Sequence, residues 1–202
     1  MSTDKSKLVD LAAAGLGSFF RPKDLGPLGI SLTALRSQVR EGRVRRLGRG
    51  LYRRTEADVT EHYTVAAVCA RVPQAIVCLL SALQVHEIGT QLPREVWIAI
   101  GHKDRPPRVG ELPIRLVRFS GPSLQYGVET IHLEGVPVRI TSAARTVVDC
   151  FRFQRLVGRD VALEALREAL HERKASVDQI WRAAEVCRAR SLLVRYLEVL
   201  AG

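Results

Sequence analysis

Cysteine and aromatic residues are scarce in this chain. It has four cysteines in 202 residues, and the aromatic fraction is 5%. No Cys-x-x-Cys pair occurs, which excludes the usual zinc-ribbon and zinc-finger spacings. We therefore expect the four cysteines to be buried or reduced thiols and not metal ligands or nucleophiles; they are Cys69, Cys78, Cys150 and Cys187.

Long apolar runs are also lacking. No run reaches the roughly 18 residues of a membrane-spanning helix, and the first 15 residues lack the apolar stretch of a secretory signal. We expect a cytoplasmic protein on these grounds. The hydrophobic fraction of 47% is near the globular average, so the chain can form one large domain or two small ones.

Acidic residues are few at the start of the chain. Residues 1–54 hold twelve Lys/Arg and four Asp/Glu, whereas residues 55–202 hold nineteen and seventeen. The net charge is therefore +8 in the first segment and +2 in the second, out of a total of +10. An excess of this kind favours an acidic partner such as nucleic acid or an anionic surface.

The basic segment carries three helical patterns. Residues 4–14 predict a first helix, and Pro22 suits the first turn of a short second one. Ser31 is a good N-cap for a third helix that ends at Gly42. In that helix the spacing of Leu32, Leu35 and Val39 predicts the buried face. The open face then holds two hydroxyls and two arginines without an acidic residue, namely Thr33, Ser37, Arg36 and Arg40.

A basic hairpin follows the third helix. Residues 40–54, REGRVRRLGRGLYRR, contain seven arginines and one acidic residue, Glu41. Val44, Leu47 and Leu51 are expected to point inward around a Gly-Arg-Gly turn. The arginines expected to point outward are Arg43, Arg45, Arg46, Arg49, Arg53 and Arg54. A solvated surface hairpin is the alternative, although few such hairpins carry so many arginines and so little acid.

This order of elements is typical of a winged helix-turn-helix. In that module the third helix enters the major groove and the wing contacts the neighbouring DNA backbone. We predict a DNA-binding domain over residues 1–58, with a linker near 55–62. The candidate DNA-contacting residues are Ser31, Thr33, Arg36, Ser37, Arg40, Arg43, Arg45, Arg46, Arg49 and Arg53.

The remaining residues, 59–202, predict one α+β domain. Helical patterns cover 60–72 and 74–89, and strands are expected over 94–100 and 112–120. Residues 127–141 read as a hairpin around Glu134-Gly135. Four further helices are expected, beginning near Ser142, Arg159, Ser176 and Ser191.

An active site is not evident in the sequence. A metal nuclease would need clustered carboxylates at a strand, but Glu172-Arg173-Lys174 ends a helix, and Asp149 and Asp160 are also in helical context. Nucleotidyl-transfer and P-loop motifs are missing. The histidines are scattered, and Arg145 and Asp149, spaced i, i+4, predict a structural ion pair. We expect no cofactor, no metal and no enzymatic activity.

Three stretches resemble the AbiEi family, the antitoxins of type IV abortive-infection systems. They are residues 19–54 (FFRPKDLGPLG…GLYRR), 78–100 (CLLSALQVHEIG…VWIAI) and 141–170 (TSAARTVVDCFRF…REAL). The resemblance implies an N-terminal DNA-binding domain and a C-terminal antitoxin domain. It also implies repression of the protein's own promoter at repeats. The implied target is a nucleotidyltransferase-like toxin, countered without a need for a stable complex.

The sequence therefore favours a DNA-binding transcriptional regulator, the autorepressing antitoxin of a toxin-antitoxin system. It would bind double-stranded DNA cooperatively or as a homodimer. Two alternatives stay open at this point. One is an interaction protein that neutralises a toxin and binds DNA only secondarily, and the other is a DNA-processing nuclease.

Overall fold

A computed structural model describes residue 11 and residues 14–48, 50–56 and 60–201. The chain divides into two compact units. The first comprises residues up to Arg71 together with His132–Pro137, and the second comprises Val72–Ile131 and residues from Val138 onward. The functional division after residue 58 stays a prediction; helix Tyr63–Arg71 belongs to the first compact unit.

The first unit combines short helices with a three-stranded sheet. Its elements in chain order are β1 (Phe19–Phe20), α1 (Pro22–Leu25), a 3-10 turn (Gly26–Leu28), α2 (Leu32–Arg40), β2 (Val44–Gly48), β3 (Leu51–Arg54) and α3 (Tyr63–Arg71). The strand order is β1-β3-β2, and both pairings are antiparallel. The arrangement is mixed α+β, as predicted.

Local signals set the helices of the first unit. Pro22 occupies the first helical position of α1, and the Asp24 carboxylate accepts a hydrogen bond from the backbone N–H of Arg21 at 2.7 Å. The Ser31 hydroxyl caps α2 by accepting from the N–H of Ala34 at 3.1 Å. Both predicted helix starts are therefore confirmed. The predicted first helix over residues 4–14 lies almost entirely outside the described residues.

A small apolar core holds α2 against the sheet. Leu25, Ile30, Leu35 and Val44 are buried in it, and Tyr52 stacks on Phe20 with 5.8 Å between ring centroids. The prediction that Leu32 is buried is wrong, because this side chain is 55% exposed. Gln38, further along the same helix, is buried.

The strand β1 was not predicted from the sequence. Phe19 pairs with Arg53 and Phe20 pairs with Tyr52, so β1 extends the wing hairpin to three strands. Phe19 and Phe20 are both buried. Pairing across more than thirty residues leaves no local trace in a two-residue strand, which explains why the pattern reveals only the two phenylalanines.

The tip of a distant hairpin completes the first unit. Glu134 takes φ 54° and Gly135 takes φ 78°, the two positive values that a type I′ hairpin turn needs. The Glu134 carboxylate accepts a hydrogen bond from the Thr60 hydroxyl. Burial raises the pKa of Glu134, but hydrogen bonds from Thr60 and Ser18 and the charge of Arg53 outweigh burial and hold this pKa below its usual range.

The second unit is a five-stranded sheet with helices. Its elements are β4 (Ile76–Val77), α4 (Leu79–Val85), β5 (Val96–Gly101), β6 (Ile114–Phe119), β7 (Val128–Leu133), β8 (Val136–Thr141), α5 (Ala143–Arg152), α6 (Gln154–Val157), α7 (Arg159–His171), α8 (Val177–Val186) and α9 (Arg190–Ala201). The strand order is β6-β5-β4-β8-β7. The tip of the β7–β8 hairpin is the part assigned to the first unit.

Most elements of the second unit were predicted. The strands β5 and β6, the hairpin around Glu134-Gly135 and the four long C-terminal helices are confirmed. The segment 74–89 was predicted as one helix, but Ile76 and Val77 form a central strand before α4 begins at Leu79. Both residues are fully buried, and a short apolar run of this kind cannot be distinguished from a buried helix by periodicity.

An ion-pair network lies in the core of the second unit. Arg145 and Asp149 on α5 are both fully buried, and their side chains form a hydrogen bond of 2.8 Å from Nε to Oδ2. Arg145 also donates to the carbonyls of Tyr126 at 2.7 Å and Ser123 at 2.8 Å. The other Asp149 oxygen accepts from Arg152 at 2.7 Å. The predicted structural ion pair is confirmed.

Candidate nucleic-acid interface

Helix α2 presents its polar face to solvent. Leu35 and Gln38 are buried and fix the orientation of the helix, whereas Thr33, Arg36 and Arg40 are exposed. A 3-10 turn and Gly29, at φ 68°, separate α1 from α2. In helix-turn-helix proteins the second helix of such a pair contacts base edges, so the exposed face of α2 is the candidate recognition surface.

One acidic side chain reaches this polar face, contrary to the expectation that it has none. Glu41 follows the last residue of α2, and its carboxylate accepts a hydrogen bond from the Ser37 hydroxyl at 2.8 Å. Its other oxygen lies 3.7 Å from Nε of Arg43. Arg40 in turn donates to the Ser37 hydroxyl at 3.4 Å. The i, i+4 spacing of Ser37 and Glu41 is the signal that could have identified this contact.

The wing follows directly from α2. Val44 and Leu51 are buried, and Leu47 is half-buried, so the predicted inward residues lie on the inner side. Arg43, Arg45 and Arg46 are exposed on β2 and just before it. Arg46 donates from Nε to the Gly48 carbonyl at 3.3 Å. Arg49 lies outside the described residues.

An arginine from α3 supports the wing and was not predicted. Arg71 donates from Nη1 to the Leu47 carbonyl at 3.0 Å. Its guanidinium packs so closely on Gly48 that a Cβ built there would lie 3.0 Å from both of its terminal nitrogens. Because Gly48 has no side chain, the Arg71 guanidinium can pack directly against the wing within the first compact unit.

Arg53 and Arg54 do not point fully outward as predicted. Both are half-buried, because β1 pairs with β3 and covers part of it. The Arg53 guanidinium lies over the ring of Tyr63, 4.8 Å from its centroid. This contact gives Arg53 a role within the fold, and its assignment as a DNA contact stays a prediction.

The structure thus brings most of the predicted residues onto two consecutive elements. Ser31 to Arg40 belong to α2 and its cap. Arg43 lies just before β2 and Arg45 and Arg46 lie on it, and β2 packs against α2. Within the described part of the chain, Arg36 and Arg45 have no hydrogen-bond or ion-pair partner. Unpaired exposed guanidiniums are available to phosphates and guanine edges.

Asp149 and Lys174, two of the residues considered for a nuclease, are engaged in other contacts. Both carboxylate oxygens of Asp149 accept from arginines, as described above, and Lys174 donates to the Glu87 carbonyl. Among the described residues, no group of three His, Cys, Asp or Glu side chains could hold a metal ion. No helix in the described ranges is long and apolar enough to cross a membrane.

The cysteines are buried free thiols, as predicted. Burial raises the pKa of Cys69 to about 12 and raises the pKa of Cys78 well above its usual range. Burial also raises the pKa of Cys150. Such thiols are protonated near neutral pH and are poor nucleophiles.

A short helix, a turn, a second helix and a β-hairpin with exposed arginines define a winged helix-turn-helix domain. Residues 6–55 match the family described as transcriptional regulator, AbiEi antitoxin. The resemblance predicted from the sequence is confirmed over this segment, which covers the helix-turn-helix and the wing. No curated protein matches the chain.

Proposed function

We propose that this protein represses transcription by binding double-stranded DNA through α2 and the wing. The observation that supports this most directly is that Arg36 and Arg45, on adjoining elements, are exposed and have no partner among the residues that the structure describes. The apolar core under Leu35 and Val44 holds those elements in a fixed relation. The match of residues 6–55 to AbiEi transcriptional regulators supports the same conclusion.

The two elements have different roles in this proposal. Residues of α2 meet base edges in the major groove, where an arginine can hold guanine O6 and N7 together. Residues of the wing meet phosphates, which carry no direct base identity. The first group is Ser31, Thr33, Arg36, Ser37 and Arg40, and the second is Arg43, Arg45, Arg46, Arg49 and Arg53.

The target is the protein's own promoter, bound at repeats by two copies. A single module buries only about 600–1,000 Å² on DNA, which limits its affinity. The antitoxin activity resides in residues 59–202 and acts against a nucleotidyltransferase-like toxin. This part of the proposal is supported by the resemblance of residues 78–100 and 141–170 to AbiEi antitoxins; the family match itself covers residues 6–55.

A footprint on the DNA upstream of the protein's own reading frame tests the proposal. The full-length protein should protect repeated sites there and should leave a shuffled sequence of equal length unprotected. Protection that is equal on both sequences would exclude autorepression. Rescue from a toxin that survives removal of residues 1–54 would favour the interaction-protein alternative, with DNA binding secondary.

A further inference from the structure

An exposed leucine lies at the start of the proposed recognition helix. Leu32 is the first residue of α2 and is 55% exposed, and Leu28 in the preceding turn is 39% exposed. Leu32 projects about 60° away from the buried Leu35 around the helix axis. It also lies in the first turn, where side chains lean toward the helix N-terminus and beyond the core. The first unit's core therefore does not account for this leucine.

Leu32 belongs to the same row of side chains as the arginines of α2. Leu32, Arg36 and Arg40 are spaced i, i+4, i+8 and are all exposed. Neighbouring positions in such a row are separated by a rise of about 6 Å along the helix. One step of the row corresponds to roughly two base pairs of B-DNA at about 3.4 Å each.

Only some base atoms in the major groove are suited to contact an apolar side chain in this row. Each base pair presents hydrogen-bond donors and acceptors there, and the C5-methyl group of thymine is the apolar exception. A leucine placed against the other base edges would cover polar groups without pairing them, which is unfavourable. The residues at the start of a recognition helix are the ones that contact base edges.

We propose that Leu32 is a specificity-determining residue that contacts a thymine methyl group. The thymine lies one or two base pairs from the guanine held by Arg36. This inference rests on the proposed function, because it requires α2 to lie in the major groove. Leu32 would be an apolar base-contacting residue on a surface that the sequence predicts to be basic and polar.

The first experiment is a selection from a library of duplexes with a randomised centre, using the full-length protein. The wild type should enrich a motif with a thymine within one or two base pairs of a guanine. Leu32→Ala should lose the preference at the thymine alone, and Arg36→Ala should lose it at the guanine. Leu92→Ala is the matched control, since Leu92 is 80% exposed in the second unit, and it should recover the wild-type motif.

The second experiment changes the DNA base and tests the contact first with the wild-type protein. Replacing that thymine by deoxyuridine removes only the C5-methyl group and should weaken wild-type binding about fourfold, the factor for burying one apolar carbon. Leu32→Ala should bind the two duplexes equally. Circular dichroism checks that Leu32→Ala remains folded, as expected for an exposed position.

The outcomes separate this inference from the proposed function. If no motif is enriched, sequence-specific DNA binding fails and the role of Leu32 fails with it. If a motif is enriched but deoxyuridine has no effect on wild-type binding, only the role of Leu32 is overturned. It is also overturned if Leu32→Ala converts a dimer to a monomer in sedimentation while keeping the deoxyuridine effect, because Leu32 would then contact a second copy.

Discussion

Arg36 and Arg145 lie in similar local settings and have opposite surroundings. Each belongs to a helix capped by a serine hydroxyl, Ser31 for α2 and Ser142 for α5. Arg145 is fully buried and donates to Asp149 and to two carbonyls, whereas Arg36 is exposed and has no partner in the described part of the chain. The local sequence determines where each helix begins. The residues packed around the helix determine whether its arginine is buried and stabilises the fold or is exposed and can bind a ligand.

The largest expected effect is on the buried arginine. Arg145→Ala leaves Asp149 buried with Arg152 as its remaining ionic partner, and should lower the free energy of unfolding by about 3–5 kcal/mol. Urea unfolding followed by tryptophan fluorescence measures this, because both tryptophans, Trp97 and Trp181, belong to the second unit.

The matched control for that prediction is Arg36→Ala, an exposed change that should alter stability by at most about 0.5 kcal/mol. Replacing both partners, Arg145→Met with Asp149→Leu, should recover part of the loss, since the buried carboxylate that Arg145→Ala leaves behind is then removed. Recovery should be incomplete, because Arg152 loses its ionic partner and the Tyr126 and Ser123 carbonyls lose their donor. A loss from Arg145→Ala below about 1 kcal/mol, the range of exposed ion pairs, would contradict the comparison.

Arg36→Ala, which should hardly change stability, should have a large effect on DNA recognition. Arg36→Ala should reduce the preference for operator over random duplex by about 1–3 kcal/mol, since a bidentate contact to guanine is lost. Competition binding on both duplexes measures this ratio. Arg105→Ala, an exposed arginine in the second unit, removes the same charge and should leave the ratio unchanged. An unchanged ratio for Arg36→Ala would assign base recognition elsewhere.

How much of this could be predicted from the sequence depends on how local each signal is. The Ser31 cap, Pro22 at the start of α1 and the turn at Glu134-Gly135 depend on adjacent residues, and all three were predicted correctly. Leu32 is exposed because it lies in the first turn of α2, where its side chain leans beyond the core, and the spacing of apolar residues does not register this. The strand at Phe19–Phe20 and the stacking of Arg53 on Tyr63 depend on tertiary pairing. Their physical cause lies in residues distant along the chain, so periodicity alone could not reveal them.

A smaller and different effect is expected in the wing. Arg46→Ala should weaken binding to operator and to random duplex about equally, because phosphate contacts carry no direct base identity. Salt titrations should show a log–log slope that is shallower by about 0.9. Loss of specificity in Arg46→Ala, with specificity intact in Arg36→Ala, would reverse the roles assigned to wing and helix.

The smallest expected effect concerns the acid inside the basic surface. The Glu41 carboxylate accepts a hydrogen bond from the Ser37 hydroxyl at 2.8 Å and lies 3.7 Å from Nε of Arg43. It would therefore compete with base edges for Ser37 and with DNA phosphates for Arg43. Glu41→Gln should tighten binding to random duplex and to operator by about twofold to fivefold, the scale of an exposed ion pair. The salt slope should become steeper by up to about 0.9 as Arg43 gains a phosphate.

Glu111→Gln, an exposed acid in the second unit, changes net charge equally and should have no such effect. Weaker binding by Glu41→Gln would instead mean that Glu41 positions Ser37 and Arg43 for DNA, and the acid would then belong to the binding surface.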